Sequence, residues 1–139
     1  MSKTLLYRLF KIGRVPPGAV RQIQREGVVL QDEGISGSVT FRQFRAPGKY
    51  FRWRRTWFSG SIVLTREHFL AFRYSKPIIG VAWTDDKMTA LRCSLDDENT
   101  LCIGFEASTF HPDSSGEIEV RFTTPMARAL LETIQQNTA

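Results

Sequence analysis

The sequence predicts a mainly β (α+β) fold: an antiparallel sheet of about seven to eight strands, capped by a C-terminal helix and preceded by short N-terminal helices. Three observations carry this expectation. From Gly60 to Trp83 the chain reads as consecutive strands whose links are too short for anything but antiparallel neighbours. From Glu117 to Thr123 the residues alternate, with Ile118, Val120 and Phe122 set against Glu119 and Arg121. The final segment puts Met126, Ala127, Leu130, Leu131 and Ile134 on one stripe at helical spacing.

The elements follow in order. Leu5, Leu6, Leu9 and Phe10 fall at helical spacing, with Thr4 as a cap, Gly13 as a stop and Arg8, Lys11 and Arg14 pointing elsewhere. A basic amphipathic helix of this kind suits a membrane or a partner, although packing on its own domain is the more common use. Pro16-Pro17 opens a second short helix, to Glu26, with Val20 and Ile23 on one side and Gly27 as its C-terminal glycine. Val28 to Gln31 begins the β region, and Gly34 and Gly37 mark a turn before an alternating strand over Ser38 to Phe44. Ala46-Pro47-Gly48 is a second turn. Lys49 to Arg55 follows it, and Trp57 and Phe58 lead into strands over Ile62 to Thr65, Phe69 to Tyr74 and Ile78 to Trp83. His68 sits in a tight turn. Pro77 cannot donate to a ladder and belongs at a strand start. Beyond a polar loop at Thr84 to Lys87, Thr89 to Leu95 and Leu101 to Ala107 form a pair joined by a turn at Asp96 to Asn99. After the loop His111 to Gly116 comes the Glu117 strand, then a helix opened by Pro125 with Thr124 as N-cap.

With 139 residues, 42% of them hydrophobic, one domain with its own core is expected, as a helical extension over residues 1–27 and a main unit over residues 28–139. No apolar run is long enough to span a bilayer. The segment MSKTLLYRLFKIGR is interrupted by charge and lacks a small-residue cleavage site. The expectation is a cytoplasmic protein, with room for a place at the membrane periphery. Two cysteines are too few for a disulfide scaffold. Leu91, Cys93 and Leu95 share one face, whereas Leu101, Ile103 and Phe105 turn inward and put Cys102 on the other side. Two free thiols are expected, with Cys93 buried.

These patterns resemble the pleckstrin-homology-like superfold, and within it the GRAM-like and bacterial PH-like modules. The resemblance rests on the hairpin GSIVLTREHFLAF (Gly60 to Phe72), the Lys76 to Trp83 strand, the paired strands to Ala107, the GEIEVRF strand and the last helix, covering roughly residues 28–137. It implies a PH-like, partly open antiparallel β-barrel with one end closed by the C-terminal helix. It also implies a lipid-binding, protein-binding or structural module, and fold alone does not choose among these. The basic first-hairpin loop of that superfold is matched loosely by Lys49 and Arg52 to Arg55. The tryptophan usual in its last helix is absent between Pro125 and Ala139.

Charge is uneven. Residues 1–58 carry net +9 and residues 59–139 net −4, within a total of +5, so one end of the molecule should be basic. The densest feature is Arg42 to Phe58, RQFRAPGKYFRWRRTWF, in which cations interleave with aromatics and no acid appears. Arg45, Lys49, Tyr50, Arg52, Trp53, Arg54 and Arg55 are the candidate anionic-partner residues. Cations meet anionic headgroups at about 1 kcal/mol each while Trp and Tyr sit at the interface. Arg and Trp also anchor acidic proteins, and aromatics stack on bases. The expected order is an anionic membrane surface, then an acidic protein or peptide, then nucleic acid, which the net acidic second part of the chain disfavours. This ordering requires Lys49, Arg52, Arg54 and Arg55 to point outward together. The competing structural reading buries Phe51, Trp53 or both, and pairs the arginines with Asp96, Asp97, Glu98 or Glu117.

A catalytic centre is hard to assemble. His68 and His111 have no partner at metal-ligand spacing. The chain has no nucleophile elbow and no glycine-rich phosphate loop, and its acid clusters lack calcium-loop spacing. The expectation is a non-catalytic binding or adaptor module with no catalytic residue, metal or cofactor. A histidine in a pocket within reach of a carboxylate would favour an enzyme.

Overall fold

The computed structural model describes residues 14–138. The helix expected around Leu5 to Phe10 lies outside them. Within them, helix α1 (Pro17–Glu26) precedes β1 (Val28–Ala46), β2 (Lys49–Thr65), β3 (His68–Arg73) and β4 (Lys76–Ala82). A 3-10 turn at Asp86–Ala90 leads to β5 (Arg92–Asp97) and β6 (Thr100–Glu106). Then come β7 (Ser115–Thr123) and helix α2 (Ala127–Thr138). The seven strands make one antiparallel sheet in the order β4-β3-β2-β1-β7-β6-β5. The expected class therefore stands: a mainly β fold with a capping helix. The sheet is not closed into a barrel, and β4 and β5 are its free edges.

Several expected boundaries are corrected. Gly34 and Gly37 do not turn the chain. Gly34, at φ 68°, sits where the β1–β2 register shifts between Glu33 and Ile35, so the glycine absorbs a bulge inside one long strand. Gly37 serves close approach, since a Cβ there would stand 2.5 Å from the Phe58 ring. Likewise Lys49 to Arg55 and Ile62 to Thr65 belong to one strand, joined through the buried Phe58, Ser59, Gly60 and Ser61. These two fusions bring the count to seven. Thr89 and Ala90 fall in the 3-10 turn, where Asp85 accepts the Lys87 N–H and caps it, so β5 starts later than alternation suggests. Asp96 and Asp97 extend β5, leaving Glu98 and Asn99 as the turn. His68 opens β3 rather than sitting in the turn.

The core lies on the inner face of the sheet. Ile62, Leu64, Phe69, Ile79, Ile103, Val120 and Phe122 are buried there with Leu130 and Ile134 of α2. Thr124 places that helix. Its hydroxyl accepts the Met126 N–H (3.1 Å) and donates to Asp32 (2.6 Å), so the N-cap is as expected although regular helix begins at Ala127. A second, smaller cluster on the other side packs Val15 and Ile23 of the N-terminal segment on Val63, Leu70 and Phe72. Val20 is exposed, so Ile23 alone of the expected pair is buried. Both cysteines are free. They lie on opposite faces as expected, Cys93 opposite Ile103 and Cys102 opposite Ser94 and Arg121. Cys93, however, is half-buried and Cys102 is the buried one, beneath the charged side chains of the outer face. Burial, with Cys102 nearby, pushes the Cys93 thiol up to about 11, and burial also raises Cys102.

Candidate functional site

The hairpin of β1 and β2 is where the basic and aromatic residues meet. Its register sets their faces. Ser38, Thr40 and Arg42 stand opposite Trp57, Arg55 and Trp53, so these six share the outer face. Phe41 stands opposite Arg54 on the inner face. Trp53 and Trp57 are 57% and 67% exposed, which excludes the buried placement for Trp53. Phe51 is half-buried and joins Phe41 and Phe44 in a three-ring cluster with centroids 4.9 to 5.8 Å apart. Gln43, at φ 49°, breaks regular alternation beside that cluster.

The cations divide by face. Arg55 lies over Trp53 at 5.4 Å and donates to the Thr40 hydroxyl (2.8 Å). Arg54 lies over Phe51 at 4.8 Å and Arg45 over Tyr50 at 4.6 Å. Lys49 and Arg52 are exposed near the tip. None of these five makes an ion pair among the described residues. The expected pairing with Asp96, Asp97, Glu98 or Glu117 is thus corrected for them. Two of those acids pair with other arginines of the sheet instead: Arg121 meets Asp96 (2.5 Å) and Arg92 meets Glu117 (2.5 Å). Arg42 is the one cation of the stretch with an acid partner, Glu119. Burial raises the Glu119 carboxyl, but Arg42 and Arg121 outweigh it and hold the group below its ordinary value. The condition that Lys49, Arg52, Arg54 and Arg55 face outward together is not met, because Arg54 and Arg55 lie on opposite faces and Arg55 is half-buried.

The backbone adds a feature that side-chain patterns did not reveal. β3 pairs with β2 only from Gly60 to Leu64. Tyr74 closes the next step, its N–H donating to the Ser59 carbonyl (3.0 Å) and its hydroxyl to the Trp57 carbonyl (3.3 Å). From Thr56 back to Lys49, no described strand lies on that side of β2. Carbonyls and amides alternate in direction along a strand. Since Ser59 and Trp57 face away from β1, so do the backbone groups of Arg55 and Trp53. The stretch is an open strand edge in the middle of the sheet order, flanked by cations above and below.

The histidines fall in different places. His68 Nδ1 lies 2.9 Å from the Glu26 carboxylate, which also accepts from Thr65 (2.5 Å) and Gln22 (2.9 Å). This cluster joins the end of α1 to the end of β2 and the start of β3. His111 lines a cavity, without a carboxylate among the lining residues. No group of three or more His, Cys, Asp or Glu side chains among the described residues could hold a metal. No helix among them is long and apolar enough to cross a membrane. The chain matches no family model and no curated protein.

Proposed function

We propose that this is a non-catalytic PH-like binding module whose open β2 edge takes an acidic, extended segment of a partner protein as an added strand. The carrying observation is the split of cations between faces at an unpaired edge. A flat anionic surface reaches one face at a time. On the outer face it would also meet Glu117, Glu119 and Asp96, in rows beside Arg42 and Arg121. A strand lying in the plane of the sheet meets Arg54 on one side and Trp53, Arg55 and Trp57 on the other. Main-chain bonds to Trp53 and Arg55 supply affinity, the cations select acids, and the exposed tryptophans serve as anchors. The PH-like part of the reading is supported by the meander order, the break between β4 and β5, and the helix directly after the last strand.

The test uses a decamer of alternating Glu and Val, with Arg55→Ser and Arg55→Pro as variants. Both lose the side chain. Only proline also removes the edge N–H, which the β1 ladder does not use, so both should fold. Binding should weaken with salt, and Arg55→Pro should bind at least about tenfold more weakly than Arg55→Ser, or ~1.4 kcal/mol. Equal loss in the two variants rejects strand addition. Peptide-independent binding to anionic vesicles, abolished when Lys49, Arg52, Arg54 and Arg55 become Ser, hands the site to a membrane surface.

A further inference from the structure

At the far end of the β6–β7 ladder from Thr124, the β3–β4 turn folds over the inner face of the sheet and leaves a cavity of about 430 Å³. That volume lies within the ~300–1,000 Å³ typical of small-molecule sites. Its floor is apolar: Val39 and Phe41 from β1, Phe105 from β6 and Ile118 from β7, with Ile78 on the opposing wall. Its rim carries Arg73, Lys76 and His111. Lys76 and His111 are exposed and Arg73 is half-buried. None of the three has an ion pair or hydrogen-bond partner through its side chain among the described residues.

We infer that this cavity binds an amphiphile with one apolar chain or ring and one anionic oxyacid head. The body fills the space over Phe105 and Ile118, and the head meets Arg73 and Lys76 at the mouth. The apolar floor excludes highly charged ligands such as a nucleotide, because a second or third charge would be buried there without a partner. Two cations at the rim favour the anionic head over a neutral one. The site shares no residue with the open edge of β2, so it stands whether or not strand addition there does.

Titration calorimetry with decanoate, decyl phosphate and decanol, each below its micellar concentration, tests the inference. Decanoate or decyl phosphate should bind saturably at one site and at least tenfold more tightly than decanol. Their order of affinity then identifies the head. The double variant Arg73→Ser, Lys76→Ser alters exposed or half-exposed positions and should bring the anions down to the level of decanol. Ile78→Trp should fill the cavity and abolish binding of all three. Arg55→Pro should leave it unchanged, which separates this site from the edge. The inference is overturned if neither anion binds, if decanol binds as tightly, or if a folded Ile78→Trp variant binds as wild type does.

Discussion

Glu26 accepts hydrogen bonds from Thr65, Gln22 and His68, groups drawn from its own helix and from the adjoining ends of β2 and β3. Burial pushes this carboxyl up, but those three bonds and the charge of His68 outweigh it, and the group lies below its ordinary value. A depressed carboxylate contributes stability that is complete above the unfolded pKa, about 4.3 for Glu, and is lost as pH falls through the folded value. Glu26→Gln keeps the shape and removes the charge. It should lower stability by about 1–3 kcal/mol near neutral pH, the cost of disrupting a buried acceptor. The gap from wild type should shrink below about pH 4. Urea midpoints from pH 7 to pH 2.5 measure this, and a pH-independent gap would show that the charge contributes nothing. His68 is legible in the sequence as a polar residue near a turn. Its partner lies 42 residues earlier in the chain, which no local pattern encodes.

Elements were legible where one periodicity dominates. The stripe of α2 is such a case: Ala127, Leu130 and Ile134 are buried, with Met126 and Leu131 packed at the margin. Leu130 is fully buried, so Leu130→Asp would place a charge in the core at a cost of several kcal/mol. A marked loss of thermal stability, seen by circular dichroism, is expected, and a wild-type melt would mean that the helix does not dock. The long strands were less legible, because a glycine signals a turn, a bulge or a close approach equally well. Gly34 proved to be a bulge and Gly37 a close approach. Gly60 is another close approach, where a Cβ would collide with the Phe72 carbonyl. The basic and aromatic stretch is legible from composition, and strand alternation alone sets Arg54 and Arg55 on opposite faces, but which face is inner depends on the β1 register.

At the scale of the whole molecule, both candidate sites depend on relationships between distant segments. The cavity gathers residues from Val39 to Ile118, and the open edge exists because β3 is short where β2 is long. β1 carries the largest consequence of this layout. It pairs with β2 through a tight hairpin, but its other side, from Ser36 to Arg45, pairs with β7, and Ser36 meets Thr123 across 87 positions of sequence. During synthesis, β1 to β4 are complete before β7 exists. Closing so wide a separation costs chain entropy before any contact repays it. The protein should therefore assemble in two stages, a four-strand meander first and the β5–β7 unit and α2 later. Between them, one side of β1 waits unpaired and open to self-association. Pulse-labelled hydrogen exchange during refolding should protect the amides shared by β2, β3 and β4 before those shared by β1 and β7. Simultaneous protection of both sets would mean that the sheet closes in a single step.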